Sequence, residues 1–210
     1  MDTAFKQVYH GIRKMIMNNE LLPGEKVSQL KLSKRFSCSP TPLAEAMRRL
    51  ESEGLLTKEG RKMARVRQLS NEDAEGLYLV REGLESIGAR LCTRKISKEN
   101  LGKLLALAEE FEIAVSQEDS ETHKQLEVEI HQFIAKCSGC PLLEDELNRL
   151  LLIELTAAED CYATQDMNKY MFSHRAIVNA IADGDEDSAE YLMKKHIQNG
   201  YIESRDSKLL

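Results

Sequence analysis

Three histidines and one glutamate in the second half of the sequence could together bind a metal ion. Glu127 precedes His131 by four residues, so on a helix the two side chains would point the same way. His174 and His196 lie in two further segments, each among aliphatic residues at helical spacing. Imidazole and carboxylate donors that converge between helices suit a divalent ion such as Zn, Ni, Mn or Fe(II). Taken alone, the same residues are also compatible with core histidines that have local hydrogen-bond partners.

The segments that carry these residues have the periodicity of amphipathic helices. Ser70 and Asp73 form a capping-box pattern that predicts the start of a first long helix, and a second is predicted from Ser97. Further helices are predicted over about 120–137, 142–163, 168–182 and 186–204. Six helices with short links predict an antiparallel all-α bundle over residues 69–210. The first of these helices has an apolar stripe that predicts its buried face: Leu77, Val80, Leu84, Ile87 and Leu91.

The first 68 residues have a different pattern, which predicts a winged helix-turn-helix. Apolar residues at helical spacing predict one helix between Phe5 and Ile16 and a second from about Gln29. In the third, Ser39 is a candidate N-cap, Pro40 suits the first turn, and Gly54 suits the end. The residues after Gly54 read as two short strands around a basic turn. The predicted fold class is therefore mainly α, with domains at 1–68 and 69–210.

Charge divides at the same point and indicates which module would bind nucleic acid. Residues 1–68 carry 14 Lys and Arg against 7 Asp and Glu, whereas the remaining residues carry 15 against 28. Only the first module is therefore suited to a polyanion. In a helix-turn-helix the second helix of the pair enters the major groove, and the wing adds phosphate contacts. The predicted DNA-binding residues are Thr41, Arg48, Arg49, Arg61, Lys62 and Arg65.

Composition limits the location of the protein. No apolar run approaches the ~20 residues that a membrane-spanning helix needs, and the first residues lack the apolar core of a signal peptide. The five cysteines are an odd number in a chain long enough to bury a good core. This usage indicates reduced thiols and a cytoplasmic protein.

The chain resembles the GntR family of bacterial transcription regulators along almost its whole length. The stretch "LLPGEKVSQLKLSKRFSCSPTPLAEAMRRLESEGLL" is similar to the family's DNA-binding domain, and "LSNEDAEGLYLVREGLESIGARL" resembles the start of the helical FCD domain of the FadR-type branch. The resemblance implies a homodimer that binds a double-stranded DNA operator and responds to a small organic acid. It further implies a metal site in the segments "EVEIH", "SHRAIVNAI" and "MKKHI", which contain Glu127, His131, His174 and His196. Arg81 matches a frequent family arginine and is a candidate effector-binding residue.

The sequence also departs from the family pattern. Pro40 and Ala44 stand where the family usually has arginines that contact bases and phosphates. This difference predicts either an unusual operator, read partly through DNA shape and the wing, or weakened DNA binding. Glu127 replaces the usual aspartate of the metal motif. His123, one turn before Glu127, is predicted to be a solvent-exposed residue outside the site.

Together these observations predict a transcription regulator, either a repressor or an activator, rather than an enzyme. One alternative is a metal-dependent hydrolase or lyase, because three histidines and a carboxylate can also activate water. Another is a family member with weakened DNA binding that acts through protein contacts.

Overall fold

The computed structural model describes residues 3–60, 63–157 and 173–206. The described chain is mainly helical, with one small sheet. Its elements are α1 (Thr3–Met17), β1 (Lys26–Ser28), α2 (Gln29–Phe36), α3 (Pro40–Ser52), β2 (Leu56–Lys58), β3 (Met63–Val66), α4 (Asn71–Lys95), α5 (Lys98–Ser116), α6 (Ser120–Cys137), α7 (Pro141–Ala157), α8 (His174–Ala182) and α9 (Glu186–Asp206). The predicted helix end near 163 and helix start near 168 lie outside the described residues.

The described residues group into two compact units. The first contains residues up to Glu72 together with the last part of α7 from Leu151, and the second contains the remaining helices from Asp73 onward. We refer to them as the head and the bundle. The predicted domain boundary after residue 68 stays a prediction. None of the helices in the described ranges is both long and apolar enough to cross a membrane.

The head is the predicted three-helix unit with its wing. Ser39 is at the N-cap of α3 with extended backbone but without a side-chain cap hydrogen bond, and Pro40 opens the helix. Leu43, Met47 and Leu50 are buried as the periodicity predicts. Gly54 follows the helix at φ +82°, a left-handed conformation that glycine adopts without strain. Thus the proline starts the helix, and the glycine lets the chain turn into the wing.

The wing has one more strand than the sequence predicts. Strand β3 lies between β1 and β2 in an antiparallel sheet of order β1-β3-β2. Val27 of β1 pairs with Ala64, and Thr57 of β2 pairs with Arg65. Because β1 has three residues and follows the Pro-Gly turn directly, it lacks the alternating pattern that would identify a strand.

The bundle core consists of aliphatic residues from five helices, with few aromatic rings. Phe111 of α5 is its large aromatic member. The other buried residues are Ala89, Cys92, Leu104, Ala108, Ala114, Leu126, Ile130, Ile134, Ile177, Val178, Ala180, Ile181, Ala189, Met193 and Ile197. This core surrounds the segments that carry the three predicted metal-binding histidines.

The predicted buried stripe on α4 is wrong in part. Leu77 is buried, but Val80 and Ile87 are 49% and 44% exposed. The helix instead buries Arg81 and Glu85 on the face where Ala89 and Cys92 also lie. An ion pair and small residues therefore occupy the inward face, and several large aliphatic side chains remain at the surface.

Candidate metal centre

The four residues predicted to bind metal meet inside the bundle. Glu127 and His131 are one turn apart on α6, while His174 is the first residue of α8 and His196 lies on α9. Ser173 caps α8 by accepting a hydrogen bond from the Ala176 N–H, which fixes where the helix begins. One donor atom from each of the four residues lies within 4.8 Å of all the others.

The separations of these atoms fit a single cation. His131 Nε2 lies 3.3 Å from His174 Nε2 and 3.2 Å from His196 Nε2. Glu127 Oε1 lies 3.3 Å from His131 Nε2, and its other oxygen lies 3.6 Å from His174 Nε2. Donors bound at about 2.0–2.2 Å to one ion are about 3.0–3.5 Å apart, so the spacing is that of ligands in one coordination sphere.

Two features of the cluster are unfavourable without a cation. Glu127 Oε2 is buried and has no hydrogen-bond partner among the described residues. Three imidazole Nε2 atoms point at one another, and a proton on any one of them cannot satisfy the lone pairs of the other two. A divalent ion would pair with the orphaned oxygen and with all three nitrogens, so the residues present fit the group that the sequence predicts.

A second carboxylate, which sequence reasoning missed, supports the cluster from α4. Glu85 Oε2 contacts His131 Nδ1, and both side chains are almost fully buried. Glu85 in turn accepts a 2.6 Å hydrogen bond from Arg81 Nε. A carboxylate on Nδ1 holds the proton of a neutral imidazole there and leaves the Nε2 lone pair free for a metal. The sequence feature that could have identified Glu85 is its spacing from Arg81: the two opposite charges are four residues apart on the face that also carries Ala89.

Burial and neighbouring charges shift the pKa values of His131 and Glu85 in opposing directions, and the neighbouring charges together have the larger effect. Burial alone would lower the pKa of His131, but the carboxylates of Glu85 and Glu127 outweigh it and raise that pKa to about 9. Burial would raise the pKa of Glu85, but Arg81 and then His131 hold it at about 2. Burial lowers the pKa of His174 well below its usual value, and neighbouring imidazoles add to the effect. His174 is therefore neutral at pH 7, as a metal ligand must be.

The carboxyl group of Glu127 is also held in its charged form. Burial opposes ionisation, but His174, His131 and His196 together keep the pKa of Glu127 well below the usual range. The site therefore presents one anionic donor and imidazole donors to a cation.

The structure leaves one further prediction for the bundle untested and contradicts another. Arg81, a candidate effector-binding residue, is 4% exposed and pairs with Glu85, and its guanidinium lies 5.4 Å from the centre of the Tyr78 ring. A role in effector binding stays a prediction. His123 was expected at the surface, but it is only 7% exposed. Helical spacing failed here because His123 packs against Phe111 of the preceding helix α5, and the periodicity of α6 alone does not show that contact.

The predicted DNA-binding residues occupy different environments in the head. Thr41, Arg48 and Arg49 are exposed on α3, as expected for an outward face. Arg49 forms a 2.6 Å ion pair with Glu53. Arg65 donates to the Gly24 carbonyl at 2.7 Å and to Glu59 at 3.0 Å, so part of its function is to hold the wing together. Arg61 and Lys62 lie outside the described residues. Contact with DNA stays a prediction for the whole set.

Both parts of the sequence match models of known protein families. The model for the gntR family of bacterial regulatory proteins matches residues 4–66. The FCD domain model matches residues 76–199, which include the four clustered residues and Glu85.

Several relatives match almost the whole chain. YdhC, an HTH-type transcriptional regulator of Bacillus subtilis, is 27% identical over 93% of this chain and 88% of its own length. The HTH-type transcriptional repressor RspR of Escherichia coli is 23% identical over 92% of this chain and 85% of its own. A probable repressor of a D-xylose utilization operon in Paenarthrobacter nicotinovorans is 27% identical over 93% and 86%.

Solved structures have the same fold. E. coli McbR/YncC superimposes with a TM-score of 0.79 at 18% identity, over 99% of this chain and 100% of the other. A GntR regulator from Rhodococcus sp. RHA1 superimposes with a TM-score of 0.76 at 20% identity, over 98% and 99%. These likenesses concern the fold alone.

Proposed function

The chain belongs to the GntR family of bacterial transcription regulators and carries an FCD domain, and on that basis we propose that a small carboxylate, bound at a divalent metal ion in its bundle, controls its binding to DNA in the cytoplasm. The ion would be Zn, Ni, Mn or Fe, held by Glu127, His131, His174 and His196. The names of the relatives support regulation over hydrolase or lyase chemistry.

The observation that carries this proposal is the convergence of four donors around an orphaned carboxylate oxygen. The net charge of the metal-loaded cluster favours a carboxylate as the effector. Arg81 and Glu85 offset each other, and Glu127 cancels one of the two charges of a divalent ion. One positive charge remains in a buried site, and a carboxylate would neutralise it. Such a ligand controls DNA binding to the extent that it prefers one arrangement of the protein over another.

Metal analysis tests the site directly. We expect the purified protein to retain about one metal ion per chain, and His174→Ala to lose it because the variant removes one of four donors. His10→Ala is the matched control, since His10 is an exposed histidine of the head. Metal content by mass spectrometry that is equal in wild type and His174→Ala would contradict the proposal.

Binding of the head to DNA is expected to depend strongly on salt. The exposed Arg48 and Arg49 and the basic wing can neutralise phosphates, whereas Pro40 and Ala44 provide none of the usual base-reading arginines. We expect a promoter fragment to bind at low salt and Arg48→Ala to weaken that binding. Lys98→Ala, in the bundle, should not. If no DNA fragment binds in mobility shift assays even at low salt, DNA binding is contradicted, and the alternative that the chain acts through protein contacts is favoured.

A homodimer is supported by the outer face of α4. Residues on one stripe of this helix are exposed or half-exposed: Glu72, Gly76, Leu79, Gly83, Ile87, Arg90 and Arg94. Leu79 is 62% and Ile87 44% exposed, and apart from the adjacent backbone of α4 itself no described atom lies within 4 Å of where a Cβ on Gly76 or Gly83 would be. A helix face with large aliphatic side chains and two bare glycines is suited to close packing against another helix.

The order of residues along the stripe favours a second copy of the same chain. Gly83 is the midpoint of α4, so an antiparallel pair crossing there places Leu79 opposite Ile87 and Glu72 opposite Arg94. The apolar positions are then self-complementary, as a two-fold interface requires, and Glu72 would face Arg94, which also pairs with Glu186 of its own chain at 2.6 Å. We expect wild type to sediment as a dimer and Gly83→Arg to shift it toward monomer, because two like charges would meet at the crossing.

The control for this variant is Gly102→Arg, since Gly102 on α5 also has no described atom near its Cβ position. It should leave the dimer intact. Equal sedimentation of the two variants would place the dimer contact elsewhere.

A further inference from the structure

His123 is the buried polar group of the bundle that the cluster leaves unexplained. Its side chain is 7% exposed, and its Nε2 atom has no hydrogen-bond partner among the described residues. Burying an imidazole nitrogen without a partner is unfavourable, so such an atom in a native fold calls for a ligand or a bound water. His131 Nδ1 is a different case, because Glu85 lies directly against it.

The position of His123 links it to the metal centre. It lies on α6 four residues before Glu127, about 6 Å away along the helix axis. Its ring centre is 4.8 Å from that of Phe111, and the ring of His174 also packs against Phe111, with ring centres 4.4 Å apart. His123 is not one of the four residues whose donor atoms converge. It is therefore close to the cation site but outside the set of donors.

We propose that His123 Nε2 forms a hydrogen bond with the bound effector and so selects an acid with a second polar group. This inference rests on the proposed function. One carboxylate of such an acid would neutralise the positive charge at the cluster, and an oxygen of the second group would accept from His123. A dicarboxylate fits this arrangement better than acetate, because the one carboxylate of acetate is held at the cluster and the molecule has no second polar group to reach the imidazole.

The test compares wild type with His123→Phe and His123→Gln, all loaded with the same metal. Malonate and succinate serve as dicarboxylate probes and acetate as the monocarboxylate, with affinity measured by calorimetry and metal content by mass spectrometry. His123→Phe should weaken the binding of whichever dicarboxylate wild type binds more tightly by about 10- to 100-fold, the range for a hydrogen bond to a charged group. The affinity for acetate should change little. His123→Gln keeps a donor at a similar distance and should stay near wild type.

Stability and metal content separate this role from a structural one. Replacing an unpartnered polar ring by an apolar ring should leave the melting temperature of ligand-free His123→Phe unchanged or higher, with one metal ion still bound. Loss of the metal would make His123 a metal ligand and overturn the inference, as would unchanged dicarboxylate affinity in His123→Phe. If wild type binds none of the acids, the carboxylate class of the proposed function fails and this inference fails with it.

Discussion

Replacing Glu85 with glutamine removes the negative charge that faces His131 Nδ1 while keeping the size of the side chain. Two effects on metal binding follow, and they have opposite signs. The imidazole loses the partner that orients it, which weakens the metal bond. It also loses the charge that raises its pKa to about 9, so a proton competes less for the same nitrogen.

The magnitudes of these effects predict a result that changes with pH. At pH 7, about 2 units below the pKa of His131, a metal ion must displace a proton from the imidazole. This competition lowers the metal affinity of wild type about 100-fold. Glu85→Gln lowers the pKa of His131 and removes much of that penalty. Loss of a carboxylate behind a metal-binding histidine costs about 10- to 100-fold. In Glu85→Gln these two effects roughly cancel at pH 7. At pH 9 proton competition is weak in wild type as well, so mainly the affinity lost with the orienting carboxylate remains.

The assay is competition for zinc with a chromogenic chelator at pH 7 and pH 9. Glu82→Gln is the matched control, because Glu82 lies on the same helix and pairs with Lys194 at 3.2 Å and Gln198 at 3.1 Å. We expect this control to bind zinc like wild type at both pH values. We expect Glu85→Gln to bind within a few-fold of wild type at pH 7 and about 10- to 100-fold more weakly at pH 9.

Two results would refute the reasoning. An equal deficit at both pH values would mean that His131 carries no competing proton at neutral pH. No deficit at pH 9 would mean that Glu85 does not position the imidazole.

Three further predictions follow from the same contacts. Glu85→Gln removes the buried carboxylate that accepts the hydrogen bond from Arg81 Nε, and it should lower the free energy of unfolding in urea by about 3 kcal/mol. Adding Arg81→Met should restore part of that stability but should not restore zinc affinity at pH 9. The raised pKa of His131 stabilises the metal-free fold below pH 6.5, and this contribution is lost as pH rises through about 9, so the melting-temperature gain from metal should grow from pH 6.5 to pH 9. Burial raises the pKa of Cys92 to about 12, so alkylation of the native protein at pH 8, followed by peptide mass spectrometry, should leave Cys92 unmodified.

Local patterns predict the three helices of the head and the helical character of the bundle, but they miss strand β1 of the wing. The start of α3 at Pro40, its end before Gly54 and the cap of α5 at Ser97 depend on residues within one turn of each other. The helical period likewise identifies the segments of Glu127, His131, His174 and His196, which the structure brings together. Such features are visible in sequence because the interactions that create them are short-range.

The predictions that failed depend on contacts between helices. The periodicity of α4 has aliphatic residues on two sides, and the side that faces inward is set by the Glu85 contact with His131 of α6. The exposure of His123 depends in the same way on Phe111 of α5. The hydrophobic pattern of one helix contains no information about these partners, so the buried face of α4 was predicted wrongly in part and His123 was predicted wrongly to be exposed.

The number of donors connects the cluster with its proposed role as a sensor. Glu127 and the three histidines already supply four donors, which complete the shell of a tetrahedral ion such as structural zinc. A carboxylate can join them directly if the ion accepts five or six ligands, as Ni, Mn and Fe(II) do. With a tetrahedral ion the same four residues would clamp α6, α8 and α9 together, and a bound acid would depend on His123 and neighbouring groups rather than on the metal. The coordination preference of the ion therefore decides whether these residues form a sensor or a structural clamp.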